Sequence, residues 1–175
     1  MDFCLQKAWE AADFATRGMT AEQLAWRAGE KWSTAEILEH LTLAFSSTGL
    51  AMNRCLQEGP PSGAPTLRER AIIAAVVEIG FFPTGRPAPK WTVPQGNDPA
   101  HAVEKFRQAL EAMDGKIAEC EGKFGGGVVA VHPIIGPLTA RQWRRFHWVH
   151  TRHHMKQIAA LRQKMAQDKH RRATA

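Results

Sequence analysis

The sequence predicts an all-α protein, a four-helix bundle with one long crossover. Three observations carry the prediction. Apolar residues recur at helical spacing through four substantial segments, 2–17, 33–57, 98–122 and 139–167. Capping signals of the Ser/Thr-x-x-Glu/Gln type mark three helix starts, at Thr20, Ser33 and Thr139. A Pro/Gly-rich excursion separates the second and third segments and is long enough to permit a non-sequential connection.

The first helix carries Phe3, Leu5, Ala8, Trp9, Ala12 and Ala15 on a loose apolar face and ends at Arg17-Gly18, where glycine suits a left-handed cap. Thr20 to Gln23 caps a short helical turn bearing Leu24 and Trp26. The second long helix has the clearest start. Ser33 caps, Glu36 reaches back, and Trp32 can staple to Ile37. Its inner stripe is Ile37, His40, Leu41, Ala44, Thr48, Ala51, Met52 and Cys55, and Gly59-Pro60-Pro61 stops it.

Residues 66–80 are mostly apolar and run long enough for a helix rather than a strand. From Phe81 to Asn97 the density of proline excludes regular structure. That stretch is expected as an extended belt or lid packed by Phe81, Phe82 and Trp91. Asp98-Pro99 opens the third long helix, with Ala102, Val103, Phe106, Ala109, Leu110, Met113 and Ile117 inward. Val128 to Pro137 reads as an apolar loop, and Lys169 to Ala175 as a basic, frayed tail beyond a single domain at 1–168.

Composition narrows the function classes. The 175 residues suffice for one domain with a sizeable core. There is no apolar run of membrane-spanning length, and Met1-Asp2-Phe3-Cys4 does not open a secretory signal, so a cytoplasmic setting is expected. Cys4, Cys55 and Cys120 lie too far apart for a thiolate zinc cluster and read as buried structural thiols, with one reactive cysteine as the alternative. The formal charge of +6 is concentrated late in the chain, with no acidic residue between Glu121 and Asp168. That distribution reads as a solvated basic face, with attraction to an anionic partner or substrate as the alternative. Nucleic-acid binding is not expected, because no reading motif or interleaved aromatic pattern accompanies the charge.

The last long helix holds the candidate site. At about 100° per residue, Trp143, Phe146, His147, His150, His154, Gln157, Leu161 and Met165 share one stripe. Arg141, Arg144, Arg145, Arg152, Lys156 and Arg162 fall away from it. His150 and His154 stand one turn apart, the spacing at which two imidazoles reach one metal ion. His40 adds a third imidazole from another helix. Neutral imidazoles on an apolar seam are costly unless satisfied, and a divalent cation satisfies them. The expected ligand set is His40, His150 and His154, with His147 as a substitute or supporting group and His153 at the edge of the stripe; a polar, metal-free histidine network is the alternative. Glu36, one turn before His40, is expected to orient its imidazole, and Gln157 to polarise a substrate or bound water. Imidazole ligands suit zinc, nickel, iron or copper.

Trp32-Ser33-Thr34-Ala35-Glu36-Ile37-Leu38-Glu39-His40-Leu41 resembles the second helix of the DinB/YfiT-like superfamily. His150-Thr151-Arg152-His153-His154-Met155-Lys156-Gln157-Ile158 looks like its last metal-binding helix. The Phe82–Pro94 segment and His132-Pro133-Ile134-Ile135-Gly136-Pro137-Leu138-Thr139 are similar to a branch of that superfamily whose function is not defined. The resemblance implies an up-down-down-up bundle and a three-histidine site for nickel or zinc, carried over to His40, His150 and His154. It implies a metal-dependent enzyme acting on a small molecule, either a transferase using a low-molecular-weight thiol or a hydrolase. The alternative is a non-enzymatic bundle that associates as a homodimer and uses the histidines structurally.

Overall fold

The computed structural model describes residues 1–82 and 87–174. Among these residues six α-helices run in chain order: α1 (Phe3–Thr16), α2 (Ala21–Ala25), α3 (Thr34–Glu58), α4 (Leu67–Ile73), α5 (Ala102–Phe124) and α6 (Ala140–Ala173). A two-stranded sheet, β1 (Val128–His132) and β2 (Gly136–Thr139), precedes α6. Capping boxes at Thr20, Ser33 and Thr139 form as the sequence predicts, and Thr66 supplies another at the start of α4. Among the described residues no helix is long and apolar enough to cross a membrane.

Contacts along α1, α3, α5 and α6 define their directions. The Asp2 amide donates to Asp114 (2.8 Å) and Arg107 lies over the Trp9 ring, so α1 and α5 are antiparallel. Phe45 packs on Phe106, Cys120 Sγ reaches the Met52 carbonyl and Lys123 the Leu56 carbonyl, so α3 and α5 are parallel. His40 meets His154 while Thr48 meets His147, so α3 and α6 are antiparallel. The course is up-down-down-up. A parallel α3–α5 pair cannot be joined by a short turn, because the chain must return the length of the bundle. Residues 59–101 make that return.

The core is apolar along the inner stripes. Leu5, Leu38, Leu41, Phe45, Met52, Phe106, Leu110, Ile117 and Ile158 are fully buried. Cys55 and Cys120 are buried free thiols, and burial pushes Cys120 up to about 11, so it remains protonated. Cys4 is only half-buried. The Val128–Pro137 stretch, expected as a loop, is instead an antiparallel hairpin with a bulge between Val128 and Ala130. Its strands alternate too briefly for periodicity to reveal them. Trp143 Nε1 donates to the Ala130 carbonyl and ties the hairpin to α6. At the hairpin turn Gly136 has φ +101°, and a Cβ there would lie 2.8 Å from the Glu69 side chain of α4.

The excursion is more regular than its prolines suggest. After α4 the chain makes a π-helical turn, Ala74–Glu78, and later a 3-10 turn, Lys90–Thr92. Of the three aromatic residues expected to pack it, Phe82 does so, while Phe81 and Trp91 are exposed. Residues 83–86 of the expected belt lie outside the described residues. The tail expected to fray continues α6 to Ala173.

Three arginines of α6 serve as caps for other elements. Arg145 donates to the Val77 and Glu78 carbonyls, Arg152 to Gly80, and Arg162 to Ala15 and Arg17. Carbonyls at helix ends lack intrahelical partners and attract cations, so an arginine-rich helix satisfies several ends at once. Arg144 departs from the expected outward placement. It is buried between Asp114 (3.1 Å) and Glu121 (2.5 Å). Replacing Arg144 with Ala leaves the buried Asp114 carboxylate without its cation, and should lower stability by about 3 kcal/mol in urea unfolding.

Candidate metal centre

Three imidazoles from two helices meet in the core. His40 comes from α3, and His150 and His154 from α6; all are buried. His40 Nε2 lies 3.2 Å from His150 Nε2, and His154 Nε2 lies 3.1 Å from the same atom. One ligand atom from each falls within 4.8 Å of the others. A ring nitrogen can ligate only if the other carries the proton. His40 Nδ1 donates to the Thr92 carbonyl at 2.8 Å, which leaves its Nε2 lone pair inward. His154 Nδ1 donates to Gln157 Oε1 at 2.9 Å, with the same consequence. The His150 ring is held by stacking, with Phe82 at 5.0 Å and 13° and Phe146 at 5.6 Å and 25°. Its Nδ1 is buried and has no partner among the described residues. Two inward lone pairs thus converge on a third buried imidazole nitrogen, and this donor set fits a divalent cation.

The other expected site residues fall elsewhere. Glu36 does not orient His40. Its carboxylate takes the Ser33 amide and pairs with Arg27, and the Thr92 carbonyl holds His40 instead. Gln157 faces His154 through its oxygen and donates its amide N–H to His153 Nε2 at 3.2 Å. His147 stands away from the three nitrogens, with Nε2 3.0 Å from Thr48 Oγ1 and its ring against Phe45 and Trp143. His153 is half-exposed and packs against Phe82 with the rings tilted by 36°.

Burial pushes every imidazole here toward its neutral form. His40 is lowered, His150 well below the usual range, and His147 and His154 down to about 3, each chiefly by desolvation. Neutral imidazole is the ligating state, so protons compete weakly for the centre.

Two residues that sequence periodicity could not single out hold this arrangement. Thr92 acts through its backbone carbonyl, so no side-chain signal marks it. Glu39 is buried next to His40 and accepts from the Gln95, Gly96 and Asn97 amides and the Asn97 side chain, at 2.7–3.1 Å. Adjacent residues of α3 thus grip the same stretch, the strap at residues 92–97, which keeps the Thr92 carbonyl on His40. Glu39→Ala should speed hydrogen exchange at the amides of Gln95 to Asn97 and weaken metal affinity by about 10–100-fold, read by competition with a chelator.

The centre opens into a cleft of about 860 Å³ between α3, α4, α6, the strap and the hairpin. His132 lines it. Its Nδ1 accepts from the Ile134 amide (3.1 Å) and the Ile135 amide (3.2 Å), so the proton resides on Nε2 and that N–H is a donor. Desolvation lowers His132 to about 4. His132 and His147 are neutral in the fold but take up protons near pH 6.5 when unfolded. The unfolded chain therefore binds more protons below that value, and the metal-free fold loses about 1.4 kcal/mol per pH unit for each of the two. The loss runs from pH 6.5 toward pH 4, and a falling thermal midpoint across that window is the expected readout.

An up-down-down-up bundle with three converging imidazoles, one from α3 and an i, i+4 pair from α6, defines a helical protein with a candidate metal centre open to a cleft. The chain belongs to the DinB superfamily, whose family model matches residues 5–158. No curated protein and no solved structure matches it.

Proposed function

We propose that the protein is a metal-dependent enzyme acting on a small molecule, with His40, His150 and His154 as ligands for a divalent metal, nickel or zinc. The reaction class is thiol transfer, with a low-molecular-weight thiol as co-substrate, or hydrolysis. The observation that carries the reading is the pair of fixed tautomers. Thr92 and Gln157 hold His40 and His154 with their Nε2 lone pairs turned toward His150. A structural histidine network would be expected to hydrogen-bond outward with at least one of these nitrogens.

When bound, a divalent metal supplies a Lewis-acid site that makes a thiolate or hydroxide available near neutral pH. The chain's own residues supply the surroundings. Phe82 and Phe146, themselves in contact, both stack on the His150 ring and shield it from water. The strap fixed by Glu39 holds His40 in its ligating tautomer. His132 offers a neutral Nε2–H to the cleft, suited to an oxygen that gains negative charge during reaction. The cleft volume lies in the range of small-molecule sites, which supports a substrate rather than a sealed polar core.

Metal content measured by plasma mass spectrometry on untagged protein tests the reading. About one metal per chain is expected after incubation with nickel or zinc. The His150→Ala variant should keep its helicity by circular dichroism and lose the metal. Full metal retention in that variant would overturn the ligand assignment.

A further inference from the structure

The cleft has a direction. On α3 its wall runs from His40 past Thr48 to Arg54, and on α6 from Gln157 past His147 to Trp143. The ends of each span are 14 residues apart in sequence, and at 1.5 Å rise per residue each is about 21 Å long. The two helices are antiparallel, so the three histidines lie at one end and Arg54 at the other. Arg68 also lines the cleft, from the first turn of α4. Its neighbour Glu69 packs against Gly136 at the hairpin turn, which puts Arg68 at the Arg54 end.

The charges in this cleft are one-sided. No aspartate or glutamate lines it among the described residues, and Arg54 and Arg68 are its only lining arginines or lysines there. Neither makes an ion pair among the described residues, although other arginines bordering the bundle do or cap helix ends. Between the two ends the lining is largely apolar. Leu50, Ile72, Phe81, Trp91, Val131 and Ile134 contribute, and most of these are exposed to the cleft's opening. Exposed apolar side chains gathered in one concavity mark a ligand site.

We propose that the cleft takes an elongated amphipathic anion, with an apolar body along α3 and α6 and a carboxylate or phosphate tip at Arg54 and Arg68. The opposite end of the molecule then lies at the three histidines. This substrate class rests on the site described above, but the anion anchor does not depend on metal. Guanidinium groups match both tip chemistries through paired N–H donors. The apolar body removes the lining side chains from water, which supplies affinity without specificity for a particular chain. The arginines set the polarity of binding and so decide which end of the molecule reaches the histidines.

Tryptophan fluorescence provides the test, because Trp32, Trp91 and Trp143 line the cleft. Dodecanoate and dodecyl phosphate are titrated, below their micelle-forming range, into wild type, Arg54→Glu/Arg68→Glu, Arg54→Gln/Arg68→Gln and His40→Ala/His150→Ala. Dodecanol and dodecyltrimethylammonium serve as neutral and cationic congeners. Saturable binding of at least one anion is expected, at least tenfold tighter than either congener. It should weaken at least tenfold in the Glu double variant, with a smaller loss in the Gln variant, and persist in the histidine variant. Dodecanoate binding alone identifies a carboxylate tip, and dodecyl phosphate binding alone a phosphate tip. No saturable binding of either anion, or equal affinity in wild type and the Glu variant, overturns the proposal. Metal content of the same preparations separates the two readings. Anion binding without metal removes only the metal-dependent function, and metal without anion binding removes only this substrate class.

Discussion

The hydrogen bond from His40 Nδ1 to the Thr92 carbonyl links the long crossover to the chemistry of the core. A carbonyl can only accept, so this contact fixes the imidazole proton on the outer nitrogen and leaves the inner one free. Its other consequence is topological. Thr92 reaches His40 only because the chain between α3 and α5 returns along the bundle, and that return exists only because α3 and α5 are parallel. The four hydrogen bonds accepted by Glu39 secure the same strap a few residues further on. Fold, strap and imidazole tautomer are one connected constraint.

Charge in this protein is divided between two uses. The arginines of α6 mostly hold other elements in place, capping the carbonyls that end α1 and the π-helical turn, and Arg144 is buried with two carboxylates. The formal charge of the last helix is thus largely occupied within the fold. Arg54 and Arg68 form the other group, open to a cleft that no other Asp, Glu, Lys or Arg lines among the described residues. Net charge did not distinguish these groups, because both count equally in composition. Only the location of each guanidinium separates them.

Much of the helical framework was legible because it depends on local chemistry. Ser33 with Glu36 and Thr139 with Gln142 are self-contained caps, formed by side chains three residues from their partners. The hairpin at Val128–Thr139 escaped because its strands are short and one contains Pro137, which weakens any period-2 signal. Trp91 was expected inside because it is large and apolar, yet it stands exposed at the cleft, where a concave surface rather than the core accounts for it.

The sequence by itself determined the four long helices, the capped starts and the three histidines brought together here, because helical periodicity and i, i+4 spacing are properties of neighbouring residues. Tertiary structure alone decided what holds those histidines. Glu36 sits one turn from His40, at the spacing of a partner, but its carboxylate is consumed by the cap at Ser33 and by Arg27. The partner came instead from a backbone carbonyl 52 residues away, an atom that every residue possesses and that no side-chain pattern can announce.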